Sequence, residues 1–157
     1  MQVLVDADAC PVVVKDMLFR AAKRVEVCVT LVANQYLRVP PSRFVKAVQV
    51  PATPDAADQR IVELTEAGDL VITSDIPLAA AALDKGAFVL DTRGGWFSRE
   101  NIRERLAMRD VLDQLRGSGV DTGGPAPYSP QDGKAFASQL DRFLARHAPP
   151  RDPSSSA

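Results

Sequence analysis

Two periodicities alternate along the chain. Short apolar runs rich in Val, Leu and Ile fall at 2–6, 25–32, 45–50, 69–74 and 87–90, the length expected of buried strands. The segments between them repeat apolar residues at helical spacing. A helix is expected from Pro11 to about Lys23, with Pro in its first turn and Val14, Leu18 and Ala21 or Ala22 on the inner face. A second opens at Pro54-Asp55, turns Ile61 and Leu64 inward and ends near Gly68, and a short one covers 77–85. Ser98 is placed to cap a long helix through Arg116, with Ile102, Leu106 and Leu115 facing the core. Ser129-Pro130 opens the last helix, which puts Phe136, Leu140, Phe143 and Leu144 on one stripe. Residues 36–43, with Pro40-Pro41, and 117–130, with Gly123-Gly124, read as loops.

Strands alternating with helices argue for parallel βαβ units. The fold class expected is α/β, a three-layer α/β/α sandwich with a mainly parallel central sheet. A chain of 157 residues can build one sizeable core, assigned to residues 1–147 as a single domain. The Pro- and Ser-rich stretch 148–157 reads as a disordered tail.

Acidic residues stand where the apolar runs stop. Asp6 and Asp8 follow Val3-Leu4-Val5, Asp75 follows Leu70-Val71-Ile72-Thr73-Ser74, and Asp91 follows Phe88-Val89-Leu90. In an open parallel sheet the carboxyl ends of the strands share one rim, where ligands bind. Carboxylates gathered there repel one another unless a cation sits among them, and hard Mg²⁺ or Mn²⁺ prefers such oxygens. Asp58 lies three residues before Ile61, hence on the buried side of its helix and directed at the same rim.

Each acid also has a local alternative. Asp8 can cap the helix that begins near Pro11, and Asp75 the helix at Pro77. Asp55 reads as an N-cap with Asp58 as its N3 partner, both favoured by the positive end of the helix dipole. Asp91 stands beside Thr92-Arg93-Gly94-Gly95, which suits a turn. Cys10, before Pro11, reads as a small buried thiol rather than an activated one, because the single His147 falls at the far end and offers no base. The same gap argues against Ser-His-Asp and Cys-His chemistry. Neither a Walker motif nor a dinucleotide fingerprint occurs.

Net charge is −1, without the global basicity of many nucleic-acid binders. Arg outnumbers Lys fourteen to five, and six arginines fall between Arg93 and Arg116. They form either a solvated helix face or a phosphate-contacting one. Two cysteines and no basic leader ahead of the first strand suit a cytoplasmic protein, and no apolar run is long enough to span a bilayer.

The stretches Val5-Asp6-Ala7-Asp8-Ala9-Cys10-Pro11, Val32-Ala33-Asn34, Asp55 to Asp58 and Gly68-Asp69-Leu70-Val71-Ile72-Thr73-Ser74-Asp75-Ile76-Pro77-Leu78-Ala79 resemble the YaiI/YqxD family of uncharacterised bacterial proteins. Arg93-Gly94, Glu100-Asn101-Ile102, Arg109-Asp110 and Gly123-Gly124-Pro125 extend the resemblance to roughly residues 1–146. That family is similar in fold to PIN domains, a superfamily that includes Mg²⁺- or Mn²⁺-dependent ribonucleases. The resemblance implies metal ligands at Asp6, Asp58 and Asp75, with Asp91 a looser match to the last acid. PIN domains commonly carry Glu where this chain has the shorter Asp58.

The function expected is therefore a metal-dependent phosphodiesterase acting on RNA or single-stranded nucleic acid. Asp6, Asp8, Asp58 and Asp75 are the catalytic candidates, and Asn34, Arg93, Asn101 and Arg109 the candidates for holding phosphate. Two rivals stand beside it. A haloacid-dehalogenase-like phosphatase would use Asp6 as nucleophile and Asp8 as general acid, but Cys10 occupies the position where such enzymes carry Thr or Val. A non-catalytic RNA- or protein-binding module is the other.

Overall fold

The computed structural model describes residues 1–119 and 126–148. Six strands form one sheet: β1 (Val3–Asp6), β2 (Val29–Ala33), β3 (Val45–Gln49), β4 (Leu70–Ile72), β5 (Phe88–Leu90) and β6 (Trp96–Phe97). Five helices accompany them: α1 (Val12–Val25), α2 (Ala56–Leu64), α3 (Ile76–Asp84), α4 (Arg99–Gly117) and α5 (Pro130–His147). The sheet order is β3-β2-β1-β4-β5-β6, parallel throughout except for β6, which runs antiparallel to β5.

The runs of β1 and β4 are unbroken because both sheet faces are covered at the centre, whereas edge strand β3 exposes Lys46, Ala47 and Gln49. Val3 and Val5 of β1 turn toward α1 and α5, whereas Leu4 between them turns toward α2, α3 and α4. β1 and β4 lie at the centre, and all their apolar side chains are essentially without solvent contact. The expected stripe on α5 is realised, with Phe136, Leu140, Phe143 and Leu144 buried against the first face. Both serine caps form as expected. Ser98 and Ser129 each accept the backbone N–H three residues on, and Asn101 and Asp132 return the bond.

Four local expectations need correction. Val25 belongs to α1, and Glu26 ends that helix in the left-handed region at φ 56, so the second strand starts only at Val29. Leu115 does not face the core but is 39% exposed, because α4 outruns the body after Ile102 and Leu106. Asp55 occupies the N-cap position of α2 at φ 67 without making a side-chain cap. Strand β6 was not anticipated, since two residues are too few to carry a period.

Gly123-Gly124 lies outside the described residues, as does the expected tail apart from Ala148. Ala148 follows α5 and packs on the core. Among the described residues no helix is long and apolar enough to cross a membrane.

The topology decides where a ligand can sit. The chain builds outward from β1 through β2 to β3, then returns across the sheet and continues from β4 on the other side of β1. At that reversal the connections leaving β1 and β4 diverge to opposite faces, opening a crevice at the strands' carboxyl ends.

Candidate functional site

Asp6 is the last residue of β1 and Asp75 caps α3 just beyond β4, so both stand at this crevice. A single hydroxyl joins them. Thr73 Oγ1 donates to Asp6 Oδ2 at 2.9 Å and accepts the Asp75 backbone N–H at 3.0 Å. Asp75 in turn accepts the Leu78 N–H through Oδ1 at 2.9 Å, the helix-capping role allowed for it. Among the described residues no donor bonds its second oxygen.

Asp8 does not cap α1. Its Oδ2 accepts the Asn34 backbone N–H at 2.9 Å, which ties the loop after β1 to the end of β2. Helix α1 therefore starts at Pro11 without a side-chain cap and without an acid in its first turn. An uncapped helix start of this kind presents free N–H groups and the positive end of the dipole.

Asp58 reaches the crevice from the first turn of α2. Its carboxyl is pushed up to about 6 by burial first, then by the charges of Asp75, Asp6 and Asp55. The Asp6 carboxyl is raised as well: burial is the main cause, the Thr73 hydroxyl opposes it, and Asp75 and Asp8 add to it. These mutual influences put Asp6, Asp8, Asp58 and Asp75 in one electrostatic neighbourhood. Among the described residues no Lys or Arg forms an ion pair with Asp6 or Asp58. Clustered acids perturbed by burial and by one another in a cleft are a feature of functional sites.

Whether a divalent ion suits this place depends on donors and geometry. The donors are hard carboxylate oxygens of the kind Mg²⁺ and Mn²⁺ take. Yet among the described residues no group of three or more His, Cys, Asp or Glu stands close enough together to hold an ion. An ion held by one or two carboxylates, with water and substrate oxygens filling the rest, is the usual arrangement for Mg²⁺. The chemistry of the donors suits that form of site, with Asp6 and Asp75 as the two carboxylates.

Beyond Asp58 the crevice continues as an open groove of about 460 Å³ between α2 and α3, lined by Asp58, Gln59, Val62, Pro77 and Leu78 among others.

The remaining candidates sit elsewhere. Asp91 Oδ1 accepts the N–H groups of Arg93 and Gly95 at 2.8 and 2.9 Å, closing the turn into β6. Asp91 is not among the charges acting on Asp6 or Asp58. Arg93 pairs with Asp132 at 2.8 Å, donates to the Ala126 carbonyl and lies 5.7 Å from the Tyr128 ring centre, fastening the start of α5 to the sheet. Asn101 is held by its capping box and by the Trp96 carbonyl. Arg109 lies within reach of Asp110 and Asp113 on the exposed part of α4. Asn34 meets the cluster through its backbone, with its side chain exposed.

Cys10 is buried, and burial pushes its thiol up to about 12, consistent with an inert core residue. His147 stacks on Phe143 with ring centres 4.3 Å apart and also meets Phe88, the first residue of β5, at the amino end of the sheet. It cannot serve the crevice as a base. The residue missed in the sequence is Thr73. Its one visible signal is a β-branched hydroxyl two positions before a strand-end Asp.

The comparisons with known proteins agree over nearly the whole chain. A family model described as "Uncharacterized BCR, YaiI/YqxD family" matches residues 4–146. A UPF0178 protein of Cupriavidus necator is 79% identical over 150 residues, which is 96% of this chain and 97% of that protein. One from Cupriavidus pinatubonensis is also 79% identical, and one from Burkholderia lata 77%, each matched along 96% of this chain and 100% of the relative. No solved structure matches.

Proposed function

The chain belongs to the YaiI/YqxD family, whose description assigns no activity, and we propose that it is a Mg²⁺- or Mn²⁺-dependent phosphodiesterase cleaving RNA or single-stranded nucleic acid. One observation carries the reading. Asp6 and Asp58, from different elements, are both held above the ordinary carboxylate range with Asp75 acting on each, at the crevice where an α/β sheet binds ligands. Repulsion of this kind is relieved when a divalent ion arrives, so the cluster is poised for a cation.

Asp6 and Asp75 would hold the ion, with Asp58 reaching it through water. When bound, such an ion lowers the pKa of coordinated water and screens charge on the attacking and leaving oxygens. The protein's own groups do the positioning. Thr73 fixes the Asp6 carboxylate through one oxygen and leaves the other for the crevice. Asp8 locks the loop after β1 to the end of β2, so the strand end carrying Asp6 does not fray. The uncapped start of α1 offers N–H groups and dipole charge to a phosphodiester. Asp58, with its carboxyl near 6, is suited to accept or return a proton close to neutral pH. No histidine base is required. Two free cysteines, one buried and one exposed, suit the cytoplasm proposed for it.

The test is cleavage of a labelled single-stranded RNA with Mn²⁺ or with chelator, using the wild-type chain, Asp6→Asn and Asp75→Asn. Each substitution should abolish Mn²⁺-dependent cleavage while leaving the thermal transition in place. Wild-type turnover by either variant would overturn the proposal, and metal-independent RNA binding without cleavage would favour a binding module instead.

A further inference from the structure

A second concave surface lies at the opposite end of the sheet. The chain passes from β2 to β3 without a helix, so residues 34–44 run back along the sheet's length, and Pro40, Pro41 and Phe44 come to rest beside the second half of α1. The groove between them measures about 450 Å³. Phe19, Pro40, Pro41, Phe44 and Val45 make an apolar floor, and Arg20, Lys23 and Arg43 stand exposed around it.

Charge distinguishes this groove from the one beside Asp58, which Asp55, Asp58 and Glu63 line. Among the described residues no carboxylate lines it. The ion pairs among the described residues engage Arg24, Arg60, Arg93, Arg109 and Arg116, and none involves these three cations. Arg20 is steadied by its own helix, donating through Nε to the Asp16 carbonyl. The Arg43 guanidinium lies 4.8 Å from the Phe44 ring centre, a stacked position that leaves its N–H edge for an anion. Three exposed cations outside these ion pairs, gathered around one groove, suit an anionic occupant, and the proline- and phenylalanine-lined floor suits one with flat apolar groups. Single-stranded nucleic acid combines the two, with phosphates on the cations and bases on the rings.

We infer that the groove between α1 and the β2–β3 connection is a second, non-catalytic site for single-stranded nucleic acid, remote from the carboxylate crevice. It requires no divalent ion, so it stands or falls separately from the hydrolytic reading.

The experiment is fluorescence anisotropy of the full chain with a labelled oligouridylate in EDTA, across a salt series. The Lys23→Glu/Arg43→Glu variant should bind roughly tenfold or more weakly at about 0.1 M salt, with a log–log salt slope shallower by about 1.4 for two lost phosphate contacts. Asp6→Asn/Asp75→Asn should bind no less tightly than wild type. Lys23→Gln/Arg43→Gln should shift affinity in the same direction and serves if charge reversal unfolds the protein. An unchanged affinity and slope in a folded variant overturns the inference. So does tighter binding of a polyglutamate peptide than of oligouridylate, which would make this an acidic-protein surface.

Discussion

Thr73 Oγ1 stands 2.9 Å from Asp6 Oδ2 and 3.0 Å from the Asp75 backbone nitrogen, so one hydroxyl couples the ends of β1 and β4. The two strands pair in parallel from Val3 with Leu70 to Val5 with Ile72, and the register ends just where the acids begin. Thr73 continues the join by side chain where the backbone ladder stops. It also supplies the one influence that lowers the Asp6 carboxyl against burial and two neighbouring charges.

Replacing Thr73 by Val keeps the shape and removes the hydroxyl. Thr73 is buried, so the Asp75 N–H and one Asp6 oxygen lose a partner with little water to replace it, at a cost of about 1–3 kcal/mol. The Asp6 carboxyl should rise further. Because a raised acid opposes folding once it ionises, the destabilisation should be larger at pH 7 than at pH 3, where Asp6 is protonated in both states. Urea denaturation at the two pH values checks this.

Asp58 gives a second pH signature. Its folded carboxyl near 6 lies above the unfolded value of 3.8, so the native state keeps a proton that the unfolded chain has released. Wild-type stability should therefore lose this group's contribution as pH rises from about 4 to 6. Asp58→Asn should be the more stable protein at pH 7.5, by up to about 1 kcal/mol once solvent screening is allowed for, and equal to wild type near pH 3.5. Thermal melts of both proteins across this range measure the difference.

Gly94 tests how the turn after β5 meets α5. It sits at φ +88, and a Cβ there would stand 2.7 Å from the Ala135 backbone carbon. Backbone cannot yield as a flexible side chain can. Gly94→Ala should cost more than the roughly 1–3 kcal/mol of left-handed strain alone, read as a lowered urea midpoint.

Arg93 separates a structural role from a phosphate-binding one. Its guanidinium is already engaged by Asp132, the Ala126 carbonyl and the Tyr128 ring. Arg93→Met should lower stability by about 1–2 kcal/mol and leave the salt dependence of oligonucleotide binding unchanged. A shallower salt slope would return it to the phosphate contacts.

The architecture was legible because both sheet faces are covered: Val3-Leu4-Val5, Leu70-Val71-Ile72 and Phe88-Val89-Leu90 are continuously apolar, and helical stripes such as Phe136-Leu140-Phe143-Leu144 separate cleanly from them. The serine caps could be read for the same local reason. What the sequence could not show was choice of partner. Asp8 could cap α1 or reach across to β2, and only packing of the two loops sets it on the Asn34 N–H. Arg93, Asn101 and Arg109 have donor groups that suit phosphate equally well, yet a neighbouring acid or carbonyl engages each of them. Leu115 carries the right spacing but lies beyond the point where α4 leaves the body. Asp55 adopts a left-handed backbone that directs it away from the capping bond expected of it.

The central claim is that Asp6 and Asp75 hold a divalent cation at the β1–β4 crevice, with Asp58 acting on it through water. Isothermal titration calorimetry of Mn²⁺ and Mg²⁺ into the wild-type chain and into Asp6→Asn/Asp75→Asn at pH 7.5 tests it without reference to any substrate. The account predicts saturable uptake by the wild type that disappears in a folded double variant. Absence of binding to the wild type, or equal binding by both proteins, would contradict it.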